Sequence, residues 1–361
     1  MKKLLPVLLS VFMLCACDGS PSQPIEVSES VEENTSSAES TADKTVSTPE
    51  NAPQTGGLAL NDEALALFDA TEYDSLNELA GENSGVYVLG AVDEERLILG
   101  EYIYGNTHSV GVYNLSKAKY TRLLNLSDLG EYANMKWLKY VGDGMALISV
   151  DLSTLRPDLS GSTANFCGEL YLLDMSTGAI TALNHTEFSG IEPHHAVMLN
   201  GVLYFDEYSD KDSGTWKYAD GMNSPEKVSD HSYPSIYNNE IIVRSENGLY
   251  TLDGERICDN GNGELLPNNL TLLTTSGRNA VIKQLDSTEE YSLDLGSNAY
   301  LHSFSEQLAV FSAEKAAVYL NKSKQLVTLT DNLPYHTDFI TKDNAIFIIS
   351  PDLSITRLKL K

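Results

Sequence analysis

Apolar residues after Gly85 fall in short consecutive runs, each following a polar turn pair. Asp143-Gly144 precedes Met145–Val150, and Asn200-Gly201 precedes Val202–Phe205. Asn238-Asn239 precedes Glu240–Val243, and Asp343-Asn344 precedes Ala345–Ile349. Looser copies are Arg96–Leu99, Leu270–Leu273 and Gln307–Phe311. Asn-Gly and Asp-Gly pairs favour tight hairpins because both central residues need positive φ. The runs are too short for helices. Their unbroken apolarity predicts strands covered on both faces. A second strand follows in each unit, often with an aromatic residue, as in Val110–Leu115, Glu169–Asp174, Thr215–Tyr218, Gly248–Asp253 and Ala317–Leu320. A turn and a third strand come next, as in Ser176–Leu183 and Lys322–Leu329.

Seven such units begin near Leu97, Met145, Val202, Glu240, Leu270, Gln307 and Ala345. Units of roughly forty residues resemble the blades of a radial β-propeller. The resemblance spans about residues 85–361 and implies an all-β fold of about seven blades, each with four short antiparallel strands. It is a resemblance of architecture: no WD dipeptide, YWTD run or kelch double glycine is present. A solenoid or a β-sandwich is the competing fold. The last unit ends at Ile355–Leu360 without an outer strand, and a ring left open exposes an unpaired edge. Residues 58–84 are therefore expected to close the ring, with the missing strand within Glu72–Ala80. Just before it, Asn61 is placed to cap one short helix over Ala64–Phe68.

The other end of the chain carries an address. Met1-Lys2-Lys3 is basic, Leu4–Ala16 is apolar but for Pro6 and Ser10, and Leu14-Cys15-Ala16-Cys17 follows. The run is short for a membrane span and has the layout of a signal peptide; an uncleaved anchor is the rival reading. The four-residue motif resembles the lipobox of bacterial lipoproteins. That resemblance implies a signal peptide over residues 1–16, diacylglyceryl on the Cys17 thiol, and attachment to the extracytoplasmic face of a membrane. Residues 17–57 are rich in Ser, Thr, Glu and Pro and hold no aromatic residue. Such a stretch reads as a disordered tether, reaching about 35 Å as a flexible coil. A tether of this kind resembles those of Gram-positive surface lipoproteins; in an enteric-type Gram-negative cell, Asp18 would direct retention at the inner membrane. The β-propeller domain is assigned to 58–361.

The chain has 24 basic and 51 acidic side chains, net −27, and loss of Lys2 and Lys3 with the leader takes it to −29. Such a surface repels nucleic acid, whose binding rests on neutralising phosphates with Lys and Arg. It also repels anionic lipid, so membrane attachment falls to the Cys17 lipid. A monomer is expected, and no cofactor is implied other than calcium. Cys167 and Cys258, the pair left after Cys15 and Cys17, are expected in non-neighbouring blades as free buried thiols. No cysteine–histidine spacing suggests zinc.

Candidate ligand-binding residues come from the segments before the middle strands. His194, His195, His231, His302 and His336 precede those strands in units three, four, six and seven, with Tyr233, Tyr300 and Tyr335 nearby. If these innermost strands line a central channel, they form a funnel of imidazoles and aromatic rings. Imidazole binds metals and changes charge near pH 6.5; aromatic faces stack on sugars. An acidic chain concentrates cations, so a neutral glycan or a cation is the expected guest. Ordinary wet strand ends are the bland alternative.

Ser209–Trp216 resembles the Asp-box of sialidase propellers, with one residue missing between Gly214 and Thr215. It also offers Asp206, Asp210 and Asp212 as oxygen donors for calcium, although it lacks the distal Glu of a calcium loop. A solvated hairpin turn is the simpler reading. Sialidases need three arginines, and none of Arg96, Arg122, Arg156, Arg244, Arg256, Arg278 and Arg357 falls among the channel candidates. No Gly-x-Ser-x-Gly elbow, phosphate loop or His-Glu-x-x-His is present. The sequence thus points to a lipid-anchored binding or interaction module at the cell surface, with a glycan or an envelope protein as partner. A carbohydrate-active enzyme working at the channel mouth is the alternative, and a scaffold for an envelope complex is the third class.

Overall fold

The computed structural model describes residues 58–79, 84–103, 106–131, 133–151, 168–185, 193–207, 213–259 and 263–361. The lipobox, the tether, Asp210, Asp212 and Cys167 lie outside them. Seven four-stranded antiparallel sheets form. Six use consecutive strands, within residues 84–125, 134–182, 196–229, 232–259, 264–294 and 300–330, here blades one to six. The seven predicted runs are the second strands, beginning at Arg96, Met145, Val202, Glu240, Thr271, Leu308 and Ala345. Both residues of Asp143-Gly144, Asn200-Gly201 and Asn238-Asn239 have positive φ, as their hairpins require.

Consecutive burial follows from blade stacking. Leu97, Ile98 and Leu99 are fully buried, and Ala345–Ile349 is buried throughout. Alternate residues of one strand feed different cores. Ile98 packs between blades one and two, while Leu97 and Leu99 pack with Phe347 between blades one and seven. Each sheet therefore needs a neighbour on both sides, which a closed ring supplies.

Blade seven orders Asp338–Lys342, Ala345–Ile349, Ile355–Leu360 and then Phe68–Tyr73. The closing strand pairs Phe68 with Leu360 and Tyr73 with Ile355. The N-terminal segment does close the ring, but the strand lies four residues earlier than the sequence suggested. Phe68 is 2% exposed, packs in the core between blades six and seven, and fixes the register. After Tyr73 the backbone turns into a short 3-10 segment, Leu76–Leu79. Ser75 Oγ and Asn77 Nδ2 donate to the Asp352 carbonyl, and Leu76 N donates to Leu353 O. These local side-chain bonds compete with strand pairing. The predicted short helix forms over Asp62–Leu67, but Asn61 does not cap it with its side chain; Asn61 Nδ2 donates to Asp331 instead, at 2.9 Å. Cys258 is free and half-buried in the outer strand of blade four. No described helix is long and apolar enough to cross a membrane.

Candidate functional site

The innermost strands are Ser84–Asp93, Asn134–Gly142, Ala196–Leu199, Ser232–Tyr237, Glu264–Leu265, Tyr300–Phe304 and Asp338–Lys342. Residues from all seven line one central cavity of about 630 Å3. One wall, from blades two to five, gathers Lys139, His195, Arg244 and Glu264, while Glu306, Asp338, Lys342 and Asp343 line the side of blades six and seven.

Asp206 is the next-to-last residue of the second strand of blade three, Val202–Glu207, and is 2% exposed. Side chains alternate along a strand, so Asp206 and Glu207 take opposite faces. Glu207 meets His185 at 2.7 Å, and Asp206 meets His195. One Asp206 oxygen accepts from His195 N at 2.7 Å. The other lies 3.3 Å from His195 Nδ1 and accepts from Tyr233 N at 3.2 Å. Tyr233 has φ +59°, at a bulge in the innermost strand of blade four. Positive φ in a bulky residue is costly. Here the unusual backbone accompanies a bond from its amide to a buried carboxylate.

His195 Nε2 stands 2.6 Å from Glu264 Oε2, at the start of the short innermost strand of blade five. Both imidazole nitrogens thus face carboxylate oxygens, a setting that favours imidazolium. The His195 ring packs on Tyr233 at 4.4 Å, and the Arg244 guanidinium lies 3.8 Å from the Tyr233 ring centre. Arg244 also donates to the Gly263 carbonyl. Gly263 has φ +150°, and a Cβ there would come within 2.4 Å of Leu273 O, so glycine is needed at this turn. Lys139, from the innermost strand of blade two, completes the wall.

Burial by itself would lower the His195 pKa, but the bonds to Asp206 and Glu264 outweigh it and the net direction is up. Burial would raise Glu264; the bond from His195 and its charge outweigh burial and hold it below the usual carboxylate range. Burial pulls the Lys139 ammonium below its ordinary value, against the opposing charges of Glu264 and Asp206. Across the cavity, His302 Nδ1 lies 3.2 Å from Asp338, whose pKa that contact lowers. His302 Nε2 is buried and unpartnered.

The pH dependence follows in sign. The raised His195 value contributes stability that is complete below its ordinary 6.5 and is lost as pH rises through the raised value. The lowered Glu264 value contributes stability that is complete above its ordinary 4.5 and is lost as pH falls through the lowered value. The difference in thermal midpoint between wild type and His195→Asn should therefore be largest between those two limits. It should shrink at the alkaline end, and an NMR titration should place the His195 midpoint above 6.5. A midpoint below 6.5 would remove the imidazolium from the account.

Of the eight residues singled out as a funnel, His195, Tyr233 and His302 line the cavity. The other five lie outside its lining. His194, Tyr335 and His336 are exposed before their strands begin, and Tyr300 is half-exposed over His302. The His231 ring turns onto Tyr250. Residues before the strands differ in their offset from the sheet, so an imidazole two positions early points elsewhere. Asp206, picked out as a calcium donor together with Asp210 and Asp212, accepts from His195 N and Tyr233 N; the other two lie outside the described residues. No group of three His, Cys, Asp or Glu suited to a metal occurs among the described residues. Lys139 and Glu264 carried no signal in the sequence. Arg244 does belong to the channel, contrary to the sequence expectation, because it reaches inward from a second strand at the bulge in its neighbour.

The fold and its channel define a seven-bladed β-propeller. No family model matches the chain, and no curated protein sequence matches it. Among solved structures it is similar to an uncharacterized protein of Listeria monocytogenes at 12% identity, covering 77% of this chain and 92% of that one, with a TM-score of 0.53. It also matches a catalytically inactive virginiamycin B lyase of Staphylococcus aureus with quinupristin, at 13% identity, covering 81% of this chain and 100% of that one, with a TM-score of 0.48. At these identities the similarity shows the fold alone.

Proposed function

We propose that the protein is a lipid-anchored extracytoplasmic module that binds a small polar ligand in the propeller channel. The observation carrying this reading is His195, held between Asp206 and Glu264 in the wall of a cavity that every blade lines. Convergent polar groups in a concave site are the usual mark of a ligand pocket. The charge state favours binding over glycoside hydrolysis at Glu264. The general acid of a glycosidase is a carboxyl kept protonated, but the imidazolium beside Glu264 keeps it ionised. The test is a metabolite and glycan screen by native mass spectrometry. Ligands found should bind Glu264→Gln and His195→Asn at least about tenfold more weakly, as expected when the charged pair that shapes the wall is lost. Unchanged binding in both variants would move the function to the blade surfaces.

The anchor is proposed from Leu14-Cys15-Ala16-Cys17. Cys17→Ser should release the protein into the medium or leave it unprocessed at full precursor mass. A mutant of unchanged mass that stays in the membrane fraction would contradict lipidation.

A further inference from the structure

The acidic chain directs attention to cations, but pairing within the channel reverses that. Asp206 is committed to His195 N, His195 Nδ1 and Tyr233 N, and Glu264 to His195 Nε2. Glu306, Asp338 and Asp343 line the cavity from blades six and seven. The two carboxylates of the His195 wall are engaged by protein donors. The cations beside them are not: neither Lys139 nor Arg244 makes an ion pair among the described residues, and both line the cavity. Arg244 spends one nitrogen on the Gly263 carbonyl and lays its plane near Tyr233, leaving further donors free. Lys139 forms no side-chain hydrogen bond among the described residues.

We infer that Lys139 and Arg244 form the receiving pole of the channel and that the ligand is a small organic anion bound through a carboxylate. This rests on the reading of the channel as a ligand site and names the ligand's class. Unpaired cations in a walled cavity gain more from an anion than exposed ones, because less water screens the contact. A guanidinium can offer parallel N–H donors to both oxygens of a carboxylate, and the lysine adds a point charge. At this wall a cationic guest would have to displace His195 from its carboxylates. The depressed Lys139 pKa agrees: burial holds the ammonium below its ordinary range despite the charges of Glu264 and Asp206, and a bound anion would raise it again.

The experiment is calorimetric titration of the full chain in detergent with acetate, benzoate and glucuronate, each against its neutral match, acetamide, benzamide and glucose. At least one carboxylate should bind, and its neutral match should bind at least about tenfold more weakly. Lys139→Met should lose at least about tenfold in that affinity, and Lys139→Arg should stay within about threefold of wild type. Equal binding of the neutral match, or full affinity in a folded Lys139→Met, would overturn the anion pole. If that binding were still lost in Glu264→Gln, the channel reading would survive. Binding of none of the three carboxylates would also overturn the inference, and the wider screen would then decide the channel reading separately.

Discussion

Deleting residues 58–73 should lower the thermal midpoint by at least about 10 °C or abolish cooperative unfolding. The segment supplies the outer strand of blade seven, with six residue pairs from Phe68–Leu360 to Tyr73–Ile355. It also carries Leu58, Ala64 and Phe68 into the core shared with blade six. Burial of Phe68 alone stabilises by roughly 1.5–3 kcal/mol. With Leu58, Ala64 and the strand pairing, the loss should reach about 5 kcal/mol, a large part of the roughly 5–15 kcal/mol typical of a folded domain. It should also leave the edge Ile355–Leu360 unpaired and promote association. Phe68→Ala in the intact chain should cost about 3–5 kcal/mol in denaturant melts. A deletion variant that melts as wild type does would mean that closure contributes nothing.

Asp206→Ala should be the most damaging change near the channel. The carboxylate is 2% exposed and accepts from two backbone amides while facing His195 Nδ1. Alanine leaves those donors unmet and leaves a buried imidazolium short of a partner. Breaking a buried charge pair from one side costs about 3–5 kcal/mol. Asp206→Asn keeps one acceptor oxygen and should cost roughly half as much. Tyr233 should respond as well, because its positive-φ backbone is tied to Asp206. Equal stability of the alanine variant and wild type, by urea unfolding at neutral pH, would show that Asp206 does not organise the wall.

The fold was largely legible because a propeller repeats one local pattern. Asp143-Gly144 and Asn200-Gly201 mark hairpins, and the fully apolar runs after them can only be strands buried on two faces. The closing strand was legible in kind but not in register. Phe68-Asp69-Ala70 has no turn pair before it, and the partner lies 292 residues away at Leu360. The site was legible only in part. His195 stands next to its strand and was found; His336, with φ +64°, sits on an exposed turn that no spacing rule anticipates. Lys139, Arg244 and Glu264 come from three different blades, and nothing local marks them as neighbours. Their meeting is a property of ring closure. Net charge misled for a related reason: it averages over a surface, whereas the channel's free valence depends on which groups already have partners.

The central claim is that the channel wall of blades two to five receives the ligand. Amide shift mapping by NMR during titration with the carboxylate that binds tests it most directly. The account predicts that the largest changes fall at Lys139, His195, Tyr233, Arg244 and Glu264, with the outer strands unmoved. Changes confined to outer strands or blade rims, with those five signals still, would contradict it.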